Sequence, residues 1–340
     1  MPGPFDNANA TSLAEGIRQA DRAALAAALN LLDDRRPEAK LKSTELLAQL
    51  QAAEGSREPS RLIGITGPPG AGKSSLSAAL IRVWRSRNLR VGVLAVDPSS
   101  PLSGGALLGD RLRMKTSNAD DAVFVRSLAC RGEFGGLSAE VWPMTQVMLA
   151  SFDITLIETV GVGQREIDVS GMCDTTCYVA QPGSGDSIQF LKAGIIEVPQ
   201  VLVVNKEDMG AVARRTLSEL SGALARNHDE DEWEVPVLSV SVTRGTGVDA
   251  LADAMESHHQ YLLSCGTLRQ RRRDYQADWI FKRLREEFGS HGLALLGGEA
   301  PLRARLSAET ASLYTQYDAL RESLLGRVAL AGASRQNFNE

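Results

Sequence analysis

The chain has 340 residues, 37 Lys plus Arg against 42 Asp plus Glu, a formal net charge of −5 and 43% hydrophobic residues. At roughly 100–200 residues per domain, this length allows one large core with appendages or two domains, and it needs no disulfide or metal staple to fold. The mild acidity lacks the basic footprint of a nucleic-acid binder, and no apolar run reaches the roughly 18–20 residues of a membrane helix. The opening MPGPFDNANATSLAEG has neither the basic nor the apolar region of a secretory signal, and it is not a convincing transit peptide. Four cysteines (Cys130, Cys173, Cys177, Cys265) do not make a disulfide framework. The expectation is a soluble, cytoplasmic protein with neither nucleic acid nor membrane as partner.

Three zones follow in chain order, with boundaries expected at 1–58, 59–265 and 266–340. Residues 11 to 52 carry apolar positions at helical spacing, and they read as two helices broken near Arg36-Pro37. The polar stretch EGSREPS then acts as a linker. From Arg61 to about Leu263, short β-branched runs alternate with helix-length amphipathic stretches: RLIGITG, VGVLAVD, AVFVRS, ITLIETV, TCYVAQ, VLVVNK and VPVLSVS. Strands that are apolar throughout are buried on both faces, which predicts an α/β fold with a doubly wound, mostly parallel sheet and helical extensions at each end. Ligands in such folds sit beyond the carboxyl ends of the strands. From about Thr267 the pattern is helical again, as LRQRRRDYQADWIFKRLREEF and RARLSAETASLYTQYDALRESLLGRV around a Gly-rich break, with a frayed last dozen residues.

The first strand runs into Gly67-Pro68-Pro69-Gly70-Ala71-Gly72-Lys73-Ser74, with Ser75 continuing into a helix. This is G-x-x-x-x-G-K-[ST] with a strand before it and a helix after it, as a phosphate-binding P-loop requires. The glycines let backbone N–H groups turn inward on phosphate oxygens, and the helix N-terminus favours an anion. Lys73 is expected to reach the β- and γ-phosphates, and the Ser74 hydroxyl to ligate Mg²⁺.

Asn205-Lys206-Glu207-Asp208 follows the strand VLVV. In an N-K-x-D tetrad the Asp carboxylate accepts from both guanine N1–H and the exocyclic amine, a pair adenine does not offer. Buried polar recognition of this kind rejects analogues by roughly 10⁴–10⁵. The expected ligands are therefore GTP and GDP. Ser241-Val242, at the end of VPVLSVS and before TRGTG, lies where GTPases contact the guanine oxygen, with Val in place of the usual Ala. Between these motifs, ITLIETVGVG ends in Glu158-Thr159-Val160-Gly161, where most GTPases carry D-x-x-G. Val162 occupies the place of the Gln that orients the attacking water in many GTPases, so slow unassisted hydrolysis is expected.

The segments AVDPSSPLSGGALLGDRLRM, ETVGVGQREID and PGSGDSIQFLKAGIIEVPQVLVVNKED resemble the methylmalonyl-CoA-mutase-associated GTPases, over nearly the whole chain. These are P-loop GTPases with Glu in the third motif. The resemblance implies an Mg²⁺-dependent GTPase that chaperones an adenosylcobalamin-dependent acyl-CoA mutase, gating delivery of its cofactor and protecting or reactivating it. It also implies a homodimer formed through the C-terminal helices. By the same resemblance, Asp97 and Asp110 join Ser74 and Glu158 near the metal, and Pro182 to Ala193 is an extra switch loop with Asp186 and Lys192 as its charged members. Lys73 and Glu158 are the catalytic candidates. This chain departs from the family at Val198-Pro199-Gln200 and at the Cys and Gln of TCYVAQP.

Other features carry less. Cys173 and Cys177 read as buried thiols rather than metal ligands, and His258-His259 as an exposed pair near a helix end. Trp279, Ile280, Phe281 and Leu284 form an apolar helix face expected to pack on a partner subunit. A nickel-inserting metallochaperone would need a His-rich or close Cys tract, which this sequence lacks. A transport-linked P-loop ATPase or kinase is opposed by N-K-x-D.

Overall fold

A computed structural model describes residues 9–34, 36–52, 58–97, 120–129, 140–159, 171–183, 199–224, 233–308 and 311–336. Contacts divide the chain into two compact units. One comprises Glu58–Val141 and Ser151–Leu268; the other comprises Met1–Arg57, Trp142–Ala150 and Arg269–Glu340.

The first unit is built on a seven-stranded sheet whose strands are those read from the sequence: β1 (Arg61–Thr66), β2 (Val91–Asp97), β3 (Val123–Ala129), β4 (Ile154–Thr159), β5 (Thr175–Ala180), β6 (Val201–Val204) and β7 (Val237–Ser239). Their order is β3-β2-β4-β1-β5-β6-β7, and every pairing is parallel. β1 lies between β4 and β5, so the chain first builds outward on one side of β1 and then on the other. A crevice at the strand carboxyl ends follows from that reversal. Both faces are apolar, as unalternating strands require. Ile63, Ile65, Leu156, Val179 and Val203 share one core with Leu76 and Leu80 of α4 (Lys73–Ser86) and Leu251 and Met255 of α7 (Val248–Ser264). On the opposite face Tyr178, Ala180, Leu202 and Val204 meet Ala213 and Leu220 of α6 (Ala211–Leu224). α5 (Val141–Ser151) precedes β4.

The second unit is helical. Its N-terminal part has three helices rather than the two read from periodicity: α1 (Ala10–Arg18), α2 (Arg22–Asp33) and α3 (Pro37–Ala52). The missed break lies at Ala20, whose φ of 56° is left-handed, and at Asp21, whose side chain accepts from the Ala24 amide at 2.8 Å. An N-cap is a single-residue signal, and in an Ala-rich run the hydrophobic spacing runs through it unchanged. The same holds in the tail. After α8 (Leu268–Leu295), which bends at Gly289, the long second stretch is split into α9 (Glu299–Ala308) and α10 (Leu313–Gln336). The Ser312 hydroxyl accepts from the Thr315 amide at the start of α10. The α10 backbone stays helical to Gln336, beyond where fraying was expected.

The apolar face of α8 differs from expectation as well. Ile280, Phe281 and Leu284 are buried within the chain itself, and Trp279 packs edge-on against Tyr314 and Tyr317, each with ring centroids 5.7 Å away. Tyr317 donates to Glu287 at 2.5 Å, and Arg321 pairs with the same carboxylate at 2.7 Å. Burial, together with the Glu287 charge, pushes the Tyr317 phenol up to about 12. Among the described residues, no helix is long and apolar enough to cross a membrane.

The capping assignment has a direct consequence. Asp21→Ala removes the acceptor for the Ala24 amide and is expected to cost about 1 kcal/mol. A lowered urea midpoint with GTP hydrolysis intact is the expected result; an unchanged midpoint contradicts the cap.

Candidate nucleotide site

The P-loop leaves the carboxyl end of the central strand. Pro68 to Ala71 form a tight turn in which the Ala71 amide donates to the Pro68 carbonyl at 3.3 Å. Pro69 at its second position and Gly70 at its third, with φ 78°, fit a type II turn. Gly67 (φ 140°) and Gly72 (φ 88°) are required by space as much as by conformation. A Cβ on Gly67 would lie 2.3 Å from the Val179 carbonyl oxygen, and one on Gly72 would lie 2.5 Å from Asn205 Nδ2. Gly72 then caps α4 without a side-chain acceptor, so the head of the helix follows directly on the loop. Lys73 is buried, and its Nζ donates to the carbonyls of Gly67 at 2.7 Å and Pro68 at 3.0 Å. Ser74 is half-buried and Ser75 exposed.

The N-K-E-D turn follows β6 and is bonded to this loop. Asn205 is 3% exposed, and its Nδ2 donates to the Ala71 carbonyl at 2.9 Å. Its Oδ1 accepts from the Lys206 amide at 2.8 Å, and Lys206 Nζ reaches the Gly70 carbonyl at 2.7 Å. Lys206 holds a left-handed backbone, φ 60°, a conformation uncommon for a residue with a Cβ. Asp208, two residues on, is exposed. The Ser241 hydroxyl donates to its Oδ1 at 2.6 Å and the Thr243 hydroxyl at 3.2 Å. The bond from Ser241 and one from the backbone, followed by Thr243 and the charge of Arg244, hold the Asp208 carboxyl below the ordinary carboxylate range.

Ser241 differs in setting from the sequence expectation. β7 ends at Ser239, and Ser241 instead opens a tight turn closed by paired backbone bonds with Thr246. Val242 lies in that turn and packs against the main core of the sheet. Thr243 was missed by sequence reasoning. A hydroxyl two residues beyond Ser241 was a usable signal, but it looks like ordinary turn composition until the fold carries Asp208 to it.

Glu158 is the next-to-last residue of β4, at 2% exposure, level with Ile65 of β1 and Ala95 of β2. Asp97 ends β2 opposite Ala129. The topology thus brings Glu158 and Asp97 to the same edge of the sheet as the P-loop. Asp110, Val160 to Val162, Asp186 and Lys192 lie outside the described residues. Cys173 and Cys177 are buried as expected, and burial drives the Cys177 thiol upward. His258 and His259 are not an exposed pair: both are 1% exposed, and His258 Nδ1 lies 2.7 Å from Thr175 Oγ1. The spacing of Leu251, Ala252, Met255 and Leu262 on α7 places both histidines on its buried stripe.

A glycine-rich loop at the reversal point of a parallel sheet, bonded to an N-K-x-D turn two strands away, is the construction of a P-loop GTPase. The profile of one family, described as "Methylmalonyl Co-A mutase-associated GTPase MeaB", matches residues 25–294, and the chain belongs to that family. The GTPase ArgK of Escherichia coli K12 is 36% identical over 295 residues, which cover 83% of this chain and 87% of that protein. The mitochondrial methylmalonic aciduria type A homolog of Caenorhabditis elegans is 32% identical over 298 residues, or 84% of this chain and 75% of its own. A crystal structure described as the LAO/AO transport system kinase matches with a TM-score of 0.68 and 28% identity, over 85% of this chain and 87% of that one. The chain is accordingly a guanine-nucleotide-binding GTP hydrolase.

The contact at Gly72 is open to a sharp test. Gly72→Ala places a methyl where Asn205 Nδ2 now sits and forces φ 88° on an L-residue. The expected outcome is at least tenfold weaker binding of a fluorescent GDP, since a displaced buried amide alone costs about 1–3 kcal/mol. Wild-type affinity would contradict the geometry.

Proposed function

We propose that this GTPase serves as chaperone to an adenosylcobalamin-dependent acyl-CoA mutase of the methylmalonyl-CoA mutase type. It would gate delivery of the intact cofactor and protect or reactivate the mutase. The observation that carries this reading is the match of residues 25–294 to a family described as mutase-associated. The relative named for methylmalonic aciduria supports it. Self-association through the C-terminal helices belongs to the same reading.

In this reading Gly67 to Ser75 hold the phosphates. The amides at the head of α4 donate to their oxygens, and Lys73 exchanges its two carbonyl partners for the β- and γ-phosphates. Asp208 accepts from N1–H and the exocyclic amine of guanine, while Asn205 and Lys206 fix the P-loop from behind. Ser241 and the turn through Val242 close the base site.

The residues present fit Mg²⁺. Ser74 and the buried Glu158 offer hard oxygen donors, Asp97 stands at the neighbouring strand end, and a cation that keeps several waters needs only one or two carboxylates. When bound, the ion would be held by these oxygens and would offset the charge that develops on the phosphates. The residues then have separable tasks. Lys73 neutralises charge on the transferring phosphoryl group, and Glu158 orients the attacking water at the strand edge. The water oxygen forms a bond to the γ-phosphorus as the bond to the β–γ bridging oxygen breaks, giving GDP, phosphate and a released proton. With Val162 in place of a water-orienting amide, hydrolysis without a partner is slow. Any effect of GTP on mutase affinity must be matched by an equal effect of the mutase on GTP affinity.

GTP hydrolysis measured with and without a purified adenosylcobalamin-dependent acyl-CoA mutase tests the proposal. A slow rate that rises when the mutase is added is expected. Unassisted turnover in the tens per second, or a rate unmoved by several such mutases, contradicts it. In the same assay Lys73→Ala is expected to abolish hydrolysis and greatly weaken GTP binding, and retention of both would overturn the assignment of the P-loop lysine.

A further inference from the structure

The turn after β7 carries three hydroxyls directed at the acids of the N-K-E-D turn. Ser241 and Thr243 approach Asp208, and the Thr246 hydroxyl donates to Glu207 Oε2 at 3.0 Å. The register between the two turns is fixed independently. The Glu207 amide donates to the Val240 carbonyl at 3.0 Å, and Ser241 and Thr246 exchange backbone bonds at 3.0 and 3.1 Å. Gly247, with φ 78°, allows the chain to leave past the Ser239 carbonyl, where a Cβ would lie 2.3 Å from its oxygen.

Within this frame, Ser241 Oγ, Thr243 Oγ1 and Asp208 Oδ1 form a triangle with sides of 2.6, 2.9 and 3.2 Å. Only two protons are available for its three edges, because an ionised carboxylate only accepts. The shortest edge joins Ser241 to Asp208, so the Ser241 proton lies there. Thr243 must then donate, either to Ser241 Oγ or to Asp208 itself. The Arg244 amide also points at Ser241 Oγ, at 3.3 Å. When Thr243 donates to Ser241 Oγ, both acceptor positions of Ser241 are filled and its hydroxyl has one orientation left, toward Asp208 Oδ1. A donor chain of this kind polarises each successive bond.

We infer that Thr243 is a positioning residue for guanine specificity: its hydroxyl fixes the proton of Ser241 and, through it, the carboxylate of Asp208 that meets the base. This rests on the reading of Asp208 as the guanine acceptor. The turn engages Oδ1 of the exposed carboxylate, which leaves Oδ2 as acceptor capacity for N1–H and the exocyclic amine. Among the described residues, the charged groups around it are Arg244 on the turn and Lys206 and Glu207 on its own strand end. Thr243 is exposed, so Val replaces it without steric conflict and deletes only the hydroxyl.

The test uses the full-length protein with a fluorescent GDP displaced by GTP, ITP and XTP across pH 3 to 7, a window that reaches the low range in which Asp208 takes up a proton. Inosine lacks the exocyclic amine, so the GTP-to-ITP ratio reports the orientation of the carboxylate. Thr243→Val is expected to weaken GTP about tenfold, as for loss of a hydrogen bond to a charged group, and to weaken ITP less. The acid limb of GTP affinity should also move to higher pH, because Asp208 must be ionised to accept and a donor that favours ionisation has been removed. Thr243→Ser should restore both the ratio and the pH profile. A wild-type ratio and profile in Thr243→Val, or equal impairment in the Val and Ser variants, overturns the role of the hydroxyl. Asp208→Asn, measured in parallel, should exchange GTP preference for XTP. If it keeps GTP preference, the reading of Asp208 itself fails; if it switches while Thr243→Val behaves as wild type, only the inference about Thr243 is lost.

Discussion

The hydrogen bond from Asn205 Nδ2 to the Ala71 carbonyl, 2.9 Å long and buried, ties two loops that are 134 residues apart in sequence. One carries the phosphate-binding backbone and the other carries Asp208. A second link, from Lys206 Nζ to the Gly70 carbonyl, runs beside it. Through these contacts the P-loop and the N-K-E-D turn are joined at two points. Gly72 is the condition for it, since the space its missing side chain leaves is where the Asn205 amide stands. A bond of this kind contributes only about 1 kcal/mol net, yet breaking it leaves a buried donor or acceptor unsatisfied at a greater cost.

The sheet explains why the two loops can meet. With β1 central and β5 and β6 following on one side, the carboxyl ends of the strands present their loops along one edge. Parallel pairing fixes their levels, Thr66 beside Tyr178 and Ala180 beside Val204. On the other side of β1, the same register sets Glu158 level with Ile65. The P-loop, the N-K-E-D turn and the acidic strand ends are therefore set along one edge by the pairing of the sheet. The left-handed backbone of Lys206 is the local strain that lets its side chain turn back to the P-loop.

Much of this was legible in the sequence because the signals are local. All seven strands stood out as unalternating apolar runs, and the P-loop and N-K-E-D turn kept their flanking strands and helix. What stayed hidden depends on partners distant in sequence or on a single residue. Asp21 and Ser312 break helices through one capping side chain each, which a periodicity argument does not register. Thr243 acquires meaning only when β6 and β7 pair and bring Asp208 within reach. His258 was misread because its polarity was weighed and its place on the apolar stripe of α7 was not; Thr175 at the head of β5 completes its environment. The face of α8 around Ile280 and Phe281 was correctly read as apolar, but it is covered by the chain's own residues rather than by a second subunit.

Nucleotide competition at equilibrium tests the central claim most directly, that one edge reads both guanine and phosphate. A fluorescent GDP bound to the full-length protein would be displaced by GTP and by ATP in separate titrations. A base site built on Asp208, braced by Ser241 and tied to the P-loop through Asn205, predicts that ATP displaces only at concentrations at least about 10³-fold above those of GTP. Comparable displacement by ATP would contradict it, because the phosphate loop would then be binding nucleotides without a base reader.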